Sequence, residues 1–86
     1  MPRVSEFYGI AIYFYYNDHL PPHFHAYYAE YEATFVIETL DYLTGELPRR
    51  ARTLVLEWAL LHRDELREDW ELARRGLPLN MIDPLD

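Results

Sequence analysis

The hydrophobic and polar positions divide the chain into two halves of different period. Before Gly45 the apolar residues are aromatic or β-branched and come in short runs alternating with polar ones, the pattern of half-buried strands. After Gly45, alanine, leucine and tryptophan recur at three- and four-residue steps, the pattern of an amphipathic helix. Three strands are predicted: residues 7–16 (FYGIAIYFYY), 23–28 (HFHAYY) and 31–38 (YEATFVIE). In the first, Ile10, Ile12 and Phe14 make the more apolar face. Residues 40–45 (LDYLTG) can add a short fourth.

The second and third strands are close enough to fix a register. A two-residue turn at Ala29-Glu30 pairs Phe24 with Phe35, His25 with Thr34, Ala26 with Ala33, Tyr27 with Glu32 and Tyr28 with Tyr31. Phe24, Ala26, Tyr28, Tyr31, Ala33 and Phe35 then share an apolar face. His23, His25, Tyr27, Glu32 and Thr34 share a polar one. A slip of one residue would mix the two sets, so the pattern selects this register.

In the second half, Pro48 suits a first helical position and Gly76 a C-terminal cap. Ala51, Leu54, Val55, Trp58, Leu61 and His62 form one stripe, continued by Leu66, Trp70 and Ala73. A single helix over 48–75 would be about 42 Å long at 1.5 Å per residue. That is too long for so small a domain, so a break is expected near His62–Asp64, with Asp64 as N-cap and Glu65 in the following first turn. The alternative is one long helix that packs on a second copy as a homodimer. Trp58 and Trp70 read as core anchors. The expectation is one α+β domain over 1–86: an antiparallel three- to four-stranded sheet (1–45), one long or two consecutive helices (46–76) and an extended tail (77–86) lying over the core.

Composition narrows the function classes. With 8 Lys+Arg against 15 Asp+Glu the net charge is −7, which disfavours bulk binding to nucleic acid. A DNA-binding repressor is the weakest class, since no helix-turn-helix pattern appears. No apolar run is long enough for a membrane helix, and the start of the chain lacks the apolar core of a leader. Cysteine is absent, which is compatible with a cytoplasmic protein.

Candidate chemistry gathers in NDHLPPHFHA, residues 17–26. His23 and His25 lie two apart on a strand, so their rings point to one face. His19 precedes the prolines, and Glu32 lies diagonal to His25 in the register above. His19, His23, His25 and Glu32 are therefore a candidate ligand set for a divalent transition metal such as zinc. The competing reading is a set of exposed histidines on a sheet surface, stacked with Tyr27. A cupin-like centre is excluded, because Glu30 falls in the turn and the second half of that motif is missing. LPRRAR is the second anomaly. Arg49, Arg50 and Arg52 sit where the helix dipole is already positive, so they mark an anion-binding site or pair with the chain's own acids. If both features share one cleft, His23 and His25 can move protons while Arg50 steadies a phosphate, as in a phosphodiesterase.

FYGI, NDHLPPHFHA, YEA, LPRR and LVLEWALLHRDELREDWELA together resemble the domain of unknown function 4160 family. The resemblance covers nearly the whole chain and departs at Ala29, where such proteins often carry glycine. It implies no established reaction. It implies a cytoplasmic bacterial protein paired with a second small protein, of the domain of unknown function 2442 family, in a toxin–antitoxin-like or regulatory system. Two functions are thus expected to compete: a protein-binding member of such a pair, and a His/Arg or metal-assisted phosphodiesterase.

Overall fold

A computed structural model describes residues 2–86. The fold is α+β. Five strands run in sequence order as an antiparallel meander: β1 (Arg3–Phe7), β2 (Ile10–Tyr13), β3 (His23–Tyr28), β4 (Tyr31–Val36) and β5 (Tyr42–Gly45). Two helices follow, α1 (Arg49–Leu61) and α2 (Arg63–Arg74). The added strand, β1, lies ahead of the segment expected as the first strand and takes only its first residue, Phe7. Tyr8 and Gly9 hold φ angles of 50° and 80°, the two positive values of a tight hairpin turn, and Phe7 pairs with Ile10 across it. Residues 7–16 are therefore a turn and a strand rather than one strand. β1 ends at Phe7, the first of those residues, and buries Val4, Ser5 and Phe7.

The β3–β4 register is the one the alternation selects, residue for residue from Phe24↔Phe35 to Tyr28↔Tyr31. Ala29 takes the turn with φ 52°, a left-handed value that glycine adopts more easily. Phe24, Ala26, Ala33 and Phe35 are buried, joined from β2 by Ile10 and Ile12. Near the turn the apolar face frays, and Tyr31 is exposed. β5 closes against β4 through a glycine. Gly45 has φ 66°, and a Cβ placed there would meet the Glu32 carbonyl oxygen at 2.4 Å. Gly45→Ala is expected to cost the left-handed strain of about 1–2 kcal/mol and to push β5 off β4 as well. Denaturant unfolding should read a loss above that range; an unchanged midpoint would show that β5 adjusts freely.

The helix breaks at His62, whose φ and ψ of −123° and 24° leave the helical region. His62 is at once the last cap of α1 and the first cap of α2, so the single long helix is ruled out. Asp64, expected as the N-cap, lies two residues past it, in the first turn of α2 with Glu65, where acids meet the positive end of the dipole. Trp58 is fully buried and packs on Phe7 and Phe24, with ring centroids 5.2 and 6.1 Å away. Leu61 falls at the break and is exposed, against its place in the predicted stripe. α2 meets the end of the sheet where Arg63 Nε donates to the Ile37 carbonyl at 3.2 Å and Arg67 grips the Glu38 carboxylate.

The tail is extended and held at three points. Asn80 N–H donates to Asp69 Oδ1 (2.9 Å), Ile82 N–H to the Val4 carbonyl (2.8 Å), and Trp58 Nε1 to the Asp83 carbonyl (2.8 Å). Ile82 is buried, while Met81 faces solvent. Asp69 is buried and its Oδ2 has no partner. Burial, helped by Glu68 and Glu65 and opposed by the Asn80 hydrogen bond, pushes its carboxyl up to about 6 from 3.8. The native state thus holds this proton more tightly than the unfolded chain. Stability contributed by protonated Asp69 is full below about pH 4 and lost as pH rises through about 6. The melting temperature is expected to fall between pH 4 and 6 from this group, and Asp69→Asn should remove that part of the slope. Parallel wild-type and Asp69→Asn profiles would count against it.

Candidate functional site

The site is built by the loop between β2 and β3. Two prolines deny that loop a ladder, but the Pro22 carbonyl accepts from Ile37 N–H at 3.0 Å and ties it to the segment after β4. Asp18 is thereby turned onto the start of β3. Its Oδ1 accepts the backbone N–H of His19 at 2.9 Å. Its Oδ2 lies 3.0 Å from His23 Nε2 and 2.9 Å from His25 Nε2. One ligand atom from each of Asp18, His23 and His25 thus falls within 4.8 Å of the others.

His23 is not on an exposed face, as the stacked-surface reading required. Its side chain is 1% exposed and packs against Trp70 of α2, ring centroids 5.3 Å apart. Its Nδ1 lies 2.7 Å from the Pro21 carbonyl oxygen. A carbonyl only accepts, so Nδ1 carries the proton and Nε2 faces the Asp18 carboxylate. That contact is attractive only when a proton or a metal cation lies between the two atoms. His25 is half-buried, and the Tyr15 ring meets it edge-on with centroids 4.4 Å apart. Burial alone would raise the Asp18 carboxyl. Hydrogen bonds from His25 and the His19 backbone, with the charge of His23 and His25, outweigh it and hold Asp18 below its usual range.

His25 and Asp18 also form part of the wall of an open groove of about 650 Å³ on the polar face of the sheet. Tyr15, Tyr16, Tyr27, Glu32, Thr34 and Thr44 supply most of the remainder. The Tyr15 and Tyr27 hydroxyls lie 2.5 Å apart. Burial, then the hydrogen bond with Tyr15 and the nearby Glu32 charge, raise the Tyr27 phenol well above its usual range, so it stays protonated. No arginine lines this groove.

The candidate residues are thus partly brought together. His23 and His25 converge, but on Asp18. Glu32 shares the groove with His25 and is not in the three-residue cluster. His19 is 72% exposed, with Nε2 3.8 Å from Asp18 Oδ1 and its ring 5.0 Å from that of His23. Arg50 lines a different cavity, with Tyr8, Tyr28 and Leu54 near the opposite end of β3. The Arg52 guanidinium sits 5.4 Å from the centre of the Tyr42 ring, and Arg49 is exposed at the start of α1. Asp18 and Trp70 are the site residues that sequence reasoning passed over. Asp18 stood inside the motif itself, seven residues before His25, but loop residues have no periodicity to aim them.

Fold and site together define a small α+β domain: a five-stranded antiparallel meander backed by two helices, with an Asp/His/His cluster at the mouth of its polar groove. Residues 9–71 match the family model described as domain of unknown function (DUF4160), and the chain belongs to that family. No curated protein and no solved structure matches it significantly. No helix among the described residues is long and apolar enough to cross a membrane.

Proposed function

We propose that the domain binds a divalent transition metal through Asp18, His23 and His25 and uses it for hydrolysis at the mouth of the tyrosine-lined groove. The observation that carries this reading is the convergence of one carboxylate oxygen and two Nε2 atoms on a single point. Two imidazoles and a carboxylate suit zinc and its neighbours, and three protein ligands leave a position for water. A metal held there would supply Lewis acidity and an activated water. The chain's own residues do the remaining work. The Pro21 carbonyl holds the His23 tautomer, Trp70 covers that ring, and the groove presents hydroxyls and Glu32 to a bound molecule. Phosphodiester cleavage is the reaction to test first, in its metal-assisted form, because Arg50 is remote from the histidines. With no arginine along the groove, the substrate is a compact one with a single phosphodiester rather than a long polyanion.

Protein purified without a histidine tag is expected to take up one zinc ion per chain. Affinity should fall as the solution is acidified and protons compete for the ligand nitrogens. Hydrolysis of bis(p-nitrophenyl) phosphate should stop with a chelator and return on adding metal. Protein that takes up no zinc, cobalt, nickel or manganese would sink the reading.

Membership of a protein pair is a second reading, favoured by a different surface. Leu60 and Leu61 are 63% and 69% exposed at the end of α1. Glu57 lies one turn before Leu61, and Asp64 and Glu65 follow the break. Arg63 and Arg67 stand beside the same leucines, and an apolar spot rimmed by both charges fits a small partner with an apolar centre and a charged rim, the role expected of the 2442-type protein. Co-purification that is lost in Leu60→Ser/Leu61→Ser supports it.

A further inference from the structure

We infer that His19 is a reversible fourth ligand, which closes the metal centre when no substrate is bound; this rests on the metal-binding reading above. His19 Nδ1 lies 3.1 Å from the Leu20 carbonyl oxygen, just as His23 Nδ1 lies against that of Pro21. Each carbonyl can only accept, so in both neutral rings the proton sits on Nδ1 and the lone pair on Nε2. Successive backbone carbonyls of one loop therefore set two imidazoles in the same ligating tautomer, the task that outer-shell groups perform at metal sites.

Position agrees with tautomer. His19 Nε2 is 3.8 Å from Asp18 Oδ1, the carboxylate oxygen that does not meet the other two histidines. The ring lies beside that of His23, and its 72% exposure leaves it free to turn. His23 and His25, by contrast, are fixed in β3. The centre thus has a rigid part on a strand and a movable part on a loop. With His19 swung in, four protein ligands surround the metal and water is excluded, as in structural zinc sites. With His19 swung out, three ligands remain and the chemistry can proceed.

Cobalt(II) serves as the probe, since its visible bands report coordination. Wild-type protein and His19→Ala are each loaded with one equivalent and titrated with azide. Both are expected to bind one ion, His19→Ala on the order of 10-fold more weakly. The His19→Ala spectrum should shift at low azide, whereas wild type should need on the order of 10-fold more, because azide must displace the imidazole. Equal melting temperatures without metal would confirm that the exposed substitution leaves the fold intact. Identical affinity and azide response in the two proteins would overturn the role of His19 while leaving the three-ligand centre standing. Absence of cobalt binding in wild type would overturn both.

Discussion

Trp58→Ala is expected to remove about 3–5 kcal/mol of stability, the usual cost of emptying a large aromatic site. The indole is fully buried and touches β1 through Phe7, β3 through Phe24 and the helix break through His62. Its N–H also holds the tail at Asp83, so the variant forfeits a further hydrogen bond of about 1 kcal/mol. At about 4–8 °C per kcal/mol for a domain of this size, melting should drop by tens of degrees. Trp58→Phe separates the two contributions, since it keeps most of the ring and loses only the donor. Urea unfolding followed by far-ultraviolet circular dichroism measures both. A loss below about 1 kcal/mol in Trp58→Ala would mean that the core closes over the gap, against the behaviour of large-to-small core variants.

The second large effect is on metal affinity. His25→Ala should weaken zinc binding by more than about 100-fold, because even outer-shell partners of metal ligands are worth about 10–100-fold. His25 is the better probe of the three. His23 is buried under Trp70, and its loss would also damage the fold. Asp18 clamps the loop through the His19 backbone. His25 faces the groove, and its removal leaves a partly exposed position on β3. Glu32→Ala supplies the contrast, since Glu32 lines the same groove outside the cluster. Competition against a chromophoric chelator should show His25→Ala far weaker and Glu32→Ala unchanged. Equal losses in both would point to diffuse attraction by acids instead of a built centre.

The strands were legible where alternation was strict. β3 and β4 carry apolar and polar residues on opposite faces, and that constraint alone set their register. The first hairpin was hidden because Tyr8-Gly9 sits within a run of aromatic and aliphatic residues, where β-propensity masks a turn that needs one glycine. The helix break was legible from length and from Asp64-Glu65, though His62 rather than Asp64 caps it. The candidate site was half legible. A His-x-His spacing on a strand announces two rings on one side, but it does not say what faces them. Asp18 reaches them because the loop folds back, and the arginines do not because they start α1 near the other end of β3.

The bond from Ile82 to Val4 has a consequence for how the chain comes off the ribosome. β1 is made before the other strands and both helices, and the segment that hydrogen-bonds to it follows α2. During synthesis the nascent sheet carries an open flank until the strap emerges. A chain released before residue 82 would keep that flank available to neighbouring strands. Such shortened chains are expected to be more prone to self-association than the finished domain.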